Sequence, residues 1–303
     1  MRLKASVVLL FLLIYVVKGL TPPSLATQTQ NTGFPNMIAS LITENTSPEV
    51  IKMFAVSHAA TALGFSNFVY FFSVGYGLAT ASVAVVGMVL KRETLNNLSL
   101  LHSLGVLCYG LRLAVFLFWR EKSSSFQQHQ SNLYEKTGGK PKSPPVPAKL
   151  TIWPAVSTLY VLLYYPCYCI LAQGLNPNIG GIVIMYFGLA IESVLDYHKS
   201  KAKAANPGGF VRTGLYRLSR HINYLGEILM WLGVWIAGIP GYTSAAKWVV
   251  NALGPIFMVW LMTSVTASLD RKQLQKYGGD AAYMEYVQRV PMLVPFTRAG
   301  PPP

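Results

Sequence analysis

Acidic residues are what this chain has least of. Only 11 of its 303 residues are Asp or Glu, against 25 Lys and Arg, and charged residues of both signs make up 12%. Soluble domains carry about 25%, so an ordinary soluble globular protein is excluded. From Met53 to Leu90 there is no formal charge, and no acid lies between Glu49 and Glu93. Cysteine is scarce as well. Cys108, Cys167 and Cys169 all lie in apolar segments, with neither a disulfide framework nor a C-x-x-C metal spacing. They read as small hydrophobes. No G-x-G-x-x-G follows a strand, so a Rossmann dinucleotide site is not indicated. No internal repeat is visible.

What the chain has is apolar length. Hydrophobic residues make up 52%, and the mean hydropathy is +0.39. This composition predicts an all-α polytopic membrane bundle embedded in a lipid bilayer. The opening "MRLKASVVLLFLLIYVVKGL" reads as a signal peptide over residues 1–20: two basic residues precede an uncharged core too short to span. Residues 21–49, rich in Thr, Ser, Asn and Pro, read as a disordered leader. The stretch 53–90 is too long for one helix and predicts two, broken near Gly64 to Asn67. Further spans are expected at 98–119, 151–172, 179–197, 224–239 and 245–266, making about seven. A polar loop is expected over 120–149. The main domain is read as 50–297, with a tail at 298–303.

The net charge of +14 could signal nucleic-acid binding, but its distribution points elsewhere. Loops 120–149 and 198–220 carry six Lys and Arg each, while the intervening "QGLNPNIG" carries none. Alternating basic and neutral loops follow the positive-inside rule and place the basic loops and the C-terminus in the cytoplasm. No nucleic-acid partner is expected.

Charges inside spans are costly, on the order of 3 kcal/mol each at mid-bilayer, and four stand out: Arg112, Glu192, Asp196 and Glu227. Glu192 and Asp196 share a helix face at i, i+4. Between Tyr197 and Asn223 lie six Lys and Arg, with His198 and His221, and no acid. Positive-inside topology accounts for such a run. A phosphate-rich ligand at the cytoplasmic mouth is the second account, with the carboxylates suiting hydroxyl or amide donors. A dinucleotide carries all of these groups. In "RLSRHINYLGEILMWLGVW", Arg220, Asn223 and Glu227 at i, i+3, i+7 are expected on one face, with Tyr224 adjacent.

These stretches carry a resemblance. "GLYRLSRHINYLGEILMWLGVW" resembles the RHPNYxGE signature of the steroid 5-alpha-reductase-like membrane family, including its uncharacterised branch and the related sterol reductases. "AIESVLDYHK", "YGLRLAVFLFWRE" and "DRKQLQKYGGDAAYMEYVQRVPMLVPF" resemble further ordered motifs of that branch. The likeness covers roughly residues 65 to 297. It implies a seven-helix reductase that takes hydride from NADPH and reduces a carbon–carbon double bond of a hydrophobic, steroid- or lipid-like substrate entering from the membrane. Carried over residue by residue, it implies cofactor binding by Glu192, Asp196, Asn223, Tyr224 and Glu227. Lys199, Lys203, Arg217 and Arg220 would lie by the phosphates, His221 would also belong to the cofactor site, and Arg271 and Tyr277 would close the site from the tail. Tyr109, three residues before Arg112, would donate the proton.

The chain departs from the pattern in three places. Steroid reductases carry Asn where Glu192 stands, Ile222 replaces the usual Pro, and the acid expected in the second helix is missing. A second resemblance, to isoprenylcysteine and phospholipid methyltransferases, implies S-adenosylmethionine instead. A non-catalytic lipid-binding role is the third expectation. The endoplasmic reticulum is the expected membrane, with a plastid membrane as the alternative.

Overall fold

The computed structural model describes residues 47–136, 139 and 143–301. The expected signal peptide and all but the last residues of the leader lie outside them. Among the described residues the chain is helical, with no strand and a single isolated bridge between Pro291 and Ala299. The helices are α1 (Pro48–Thr61), α2 (Val74–Leu90), α3 (Asn97–Lys122), α4 (Ser124–Lys136), α5 (Val146–Gln173), α6 (Ile179–Ala205), α7 (Ile222–Gly238), α8 (Ala245–Tyr277) and α9 (Ala281–Arg289). Six of the described helical segments are long and apolar enough to cross a bilayer, counting α2 from Phe68 and α7 through Gly241. The protein is an integral membrane protein of the all-α class.

The seventh expected span is met by a shorter helix. Ser47 caps α1, its hydroxyl accepting from Val50 N–H, and Pro48 opens the first turn. Fourteen residues rise about 21 Å, short of a hydrocarbon core of about 30 Å. The expected break near Gly64 to Asn67 is present, as two 3-10 turns over residues 62–71. The expected polar loop at 120–149 is corrected in part: it contains α4. α6 and α8 both run past their expected ends, to Ala205 and Tyr277. Apolarity marks where a helix leaves lipid, not where it stops, since Lys- and Ala-rich sequence continues a helix in water.

The described residues fall into two compact units. The first holds α1, α2, α5 and the part of α3 up to Val115, with residues 238–254. α5 is apolar all round and almost wholly buried from Ala155 to Leu171, as a central helix must be. It ends at Gly174, whose φ of 64° puts it in the left-handed region. Gly174 N–H and Leu175 N–H then close back onto the carbonyls of Leu171 and Ile170 at 3.2 and 3.1 Å. α2 and α3 touch through backbone. A Cβ on Gly110 would stand 2.7 Å from Ala81 N, and one on Gly77 would stand 2.7 Å from Ala114 N. Cys167 and Cys169 are buried here as small hydrophobes, whereas Cys108 is exposed.

The second unit holds residues 116–141, 178–237 and 255–303. Its α6 begins at Asn178, which caps Gly181 N–H at 3.1 Å. Its α9 begins at Asp280, whose carboxylate accepts from Ala282 N–H at 2.8 Å. α8 passes from the first unit to the second beside Pro255.

Candidate functional site

In the second unit, α6 presents Glu192 and Asp196 one turn apart, and α7 presents Asn223 and Glu227 with the same spacing. Glycines bring these faces together. Gly181 and Gly188 on α6 meet Gly233 and Gly226 on α7. A Cβ on Gly226 would stand 2.8 Å from Glu192 N, one on Gly188 2.6 Å from Gly226 O, and one on Gly233 2.8 Å from Gly181 O. The two backbones are therefore in contact, as small residues permit between membrane helices. Polar side chains one turn from the seam cannot splay apart.

Asn223 Nδ2 donates to Asp196 Oδ1 at 3.1 Å. Glu192, Asn223 and Glu227 are 3, 8 and 8% exposed. Asn223 Oδ1 is buried and accepts no hydrogen bond from the described residues. Buried acceptors are almost always satisfied, so this oxygen marks a position where a donor is wanted. Tyr224 lies within electrostatic range of Glu227, Asp196, Arg120 and Glu192. Lys199 Nζ sits 5.9 Å from the Tyr216 ring centroid, with Asp196 as the acid acting most strongly on it. The cluster is thus three carboxylates, an amide and a phenol with two cations at its margin. Sequence reasoning missed Arg120, placing it at the start of a loop. It lies in the last turn of α3, its guanidinium 5.6 and 5.4 Å from the rings of Phe116 and Phe126.

Arg220 and His221 are placed differently from the sequence expectation. Both precede Ile222, the first residue of α7, so Arg220 is not on the helical face of Asn223 and Glu227. Its guanidinium grips Asp270 at both oxygens, 3.0 and 2.7 Å, and is 1% exposed. It also donates to the carbonyls of Val287, at 2.9 Å, of Val290, and of Gly300, at 3.0 Å. His221 Nε2 lies 3.2 Å from Asp270 Oδ1. Burial holds its imidazole below the ordinary value of 6.5, against the pull of Asp270. Arg220 N–H and His221 N–H donate to Pro291 and Met292 carbonyls, each at 3.0 Å, and Ser219 Oγ donates to Leu293 O at 2.8 Å. Residues 219–221 and Asp270 form a node that fixes the C-terminal strap. The strap is held as far as Gly300, beyond the expected boundary at 297. Asp270, which the sequence did not single out as a site residue, is its centre.

Lys203 and Tyr277 meet, Nζ to Oη 2.9 Å, over the carbonyl of Gly209. Arg217 is exposed and Arg271 half-buried. In the first unit, Tyr109 is fully buried. Its hydroxyl donates to Tyr76 Oη at 3.1 Å, and the Arg112 guanidinium lies 5.4 Å from its ring. Tyr76 stacks on Tyr160 with centroids 4.7 Å apart. Among the described residues no group of His, Cys, Asp and Glu could hold a metal ion.

The fold and this buried polar cluster define a helical membrane protein with a polar site built between packed spans. The chain belongs to the family described as "Protein of unknown function (DUF1295)", which it matches over residues 61–290. A stretch of 82 residues, 27% of this chain, is 34% identical to the uncharacterised protein C594.04c of Schizosaccharomyces pombe and covers 23% of that protein. The match thus spans less than a quarter of that relative's length. No solved structure matches.

Proposed function

We propose that the protein is a membrane reductase of the steroid 5-alpha-reductase-like kind, using NADPH on a hydrophobic unsaturated substrate. The observation that carries this reading is the Asp196–Asn223 pair with its free amide oxygen, flanked by Glu192 and Glu227. A set of carboxylates and one open amide acceptor fits a ligand rich in hydroxyl and amide donors, which a dinucleotide is. Bound NADPH would supply a hydride to one carbon of the double bond.

The chain's own residues do the rest. Asn223 Oδ1 accepts from an amide N–H, and Glu192, Asp196 and Glu227 accept from hydroxyls. Lys199 and Arg120 balance phosphate charge. By the resemblance Tyr109 would be the proton donor, and within the first unit the Arg112 guanidinium lies 5.4 Å from its ring. The endoplasmic reticulum membrane is the setting of this reading.

The test is a thermal-stability titration of the purified protein with NADPH and, separately, S-adenosylmethionine. NADPH should raise the melting temperature, and Asn223→Ala should abolish the rise. A response to S-adenosylmethionine alone would replace this reading with a methyltransferase. Silence to both would favour a non-catalytic lipid-binding protein.

A further inference from the structure

A separate basic cavity lies in the second unit. It has a volume of about 190 Å³ and is lined by Arg212, Arg217 and Arg289, with Glu285, Tyr286 and Val290. Three arginines and one glutamate line it, a surplus of two positive charges. That carboxylate is already engaged by Arg289 within α9, at 2.9 Å. Neither Arg212 nor Arg217 has a carboxylate partner among the described residues. The surplus is therefore uncompensated from within the chain.

The backbone that carries Arg217 is tied to α9, and Arg212 rests on a ring. Arg217 ends the turn Gly214–Arg217, which is pinned by the buried ring of Tyr216. The Tyr286 hydroxyl donates to Tyr216 O at 2.7 Å and ties that turn to α9. Arg212 is steadied over the Phe210 ring at 5.4 Å, and Phe210 packs against Tyr283 and Tyr286.

Small-molecule sites usually exceed about 300 Å³. At about 190 Å³ this open depression is smaller than that, and it includes none of Glu192, Asp196, Asn223 or Glu227. It suits a single compact anion. Arg forks match phosphate oxygens in pairs. Leu215 and Leu218, 43 and 39% exposed, stand on either side of Arg217 in the chain and offer an apolar shoulder.

We propose that Arg212, Arg217 and Arg289 form a phosphate-binding site outside the carboxylate cluster, with Arg217 assigned here rather than to the cofactor phosphates of the reductase reading. The phosphate belongs either to an anionic lipid headgroup or to a free phosphate ester. The full-length protein in detergent would be titrated with inorganic phosphate and pyrophosphate by calorimetry. In a second arm it would be placed in phosphatidylcholine nanodiscs with and without phosphatidic acid, and retained lipid counted by native mass spectrometry.

Arg212→Gln and Arg217→Gln should each weaken binding about tenfold, the worth of one charge-assisted hydrogen bond. Exposed Lys201→Gln should leave it unchanged. Loss confined to the soluble anions identifies a free ester, and loss of retained phosphatidic acid identifies the lipid. Absence of binding in both arms overturns the proposal, as does an equal loss in Lys201→Gln.

Discussion

Two buried polar clusters lie side by side in the chain, and the groups at their centres, Arg220 and Asn223, are finished in opposite ways. In the node of Ser219, Arg220, His221 and Asp270, the arginine is used up. Its guanidinium serves both oxygens of one carboxylate and three backbone carbonyls. In the neighbouring cluster, Asn223 gives one hydrogen bond to Asp196 and keeps a buried oxygen in reserve. An ion pair whose guanidinium has every donor used holds structure, although His221 Nδ1 beside it is buried without a partner among the described residues. A cluster with an acceptor left over is arranged for something that arrives later. The distinction turns on atoms, since both clusters draw on the same stretch of Arg, His and Asn.

The sharpest way to break the comparison is to attack the Arg220–Asp270 pair. Asp270→Ala strands the buried Arg220 charge and should cost about 3–5 kcal/mol, seen as a large drop in melting temperature and in the yield of soluble micellar protein. Arg220→Met combined with Asp270→Leu should melt higher than Asp270→Ala alone, because no charge is left unpaired, while the carbonyls that lose Arg220 keep it below the parent protein. Next in size, Gly188→Ala should cost about 1–3 kcal/mol by pressing a methyl into α7 backbone, measured by the same melt.

The open cluster should respond differently. Asn223→Ala should change stability by about 1 kcal/mol or less while abolishing the NADPH-induced rise in melting temperature. A large loss of stability there would mean that the two clusters are not different in kind.

Acid sharpens the contrast more finely. The unfolded chain protonates an imidazole near 6.5, whereas His221 in the node does so lower. Through that window the unfolded chain binds more protons, so stability falls as pH falls. Melting temperatures followed downward from pH 7 should decline, and His221→Gln should flatten the decline.

The smallest effect belongs to the first unit. There the Lys91 ammonium, 2.9 Å away, holds the Glu49 carboxyl down to about 2, against an ordinary 4.5. That pair contributes fully above 4.5 and is lost as the pH falls toward 2. Being partly exposed, it is worth at most about 1 kcal/mol, so Lys91→Ala should move the melt only slightly.

Much of this was legible in the sequence. Hydropathy placed the membrane class and all six long spans, and the break before Phe68 followed from an uncharged run too long for one helix. The i, i+4 spacing put Glu192 and Asp196 on one face, and the structure sets Asn223 of α7 against Asp196. Arg220 was not legible, because i, i+3 spacing implies a shared face only inside a helix, and α7 starts two residues later. Its true partner is 50 residues away at Asp270, and sequence spacing carries no signal for such a contact. Arg120 was missed because charge was read as the end of the helix, whereas a cation in the last turn suits the helix dipole and prolongs it. Tyr76 gave no signal either: an aromatic in an apolar run looks like packing until its hydroxyl is found against that of Tyr109.

The glycine seam between α6 and α7 has a consequence for how this chain can change. Where two ordinary side chains meet, enlarging one can be offset by trimming the other. At Gly188 and Gly226 the opposing surface is main chain, and no residue is smaller than glycine. A mutation at either position has no second-site suppressor on the facing helix, so a genetic screen for such suppressors should return only reversion.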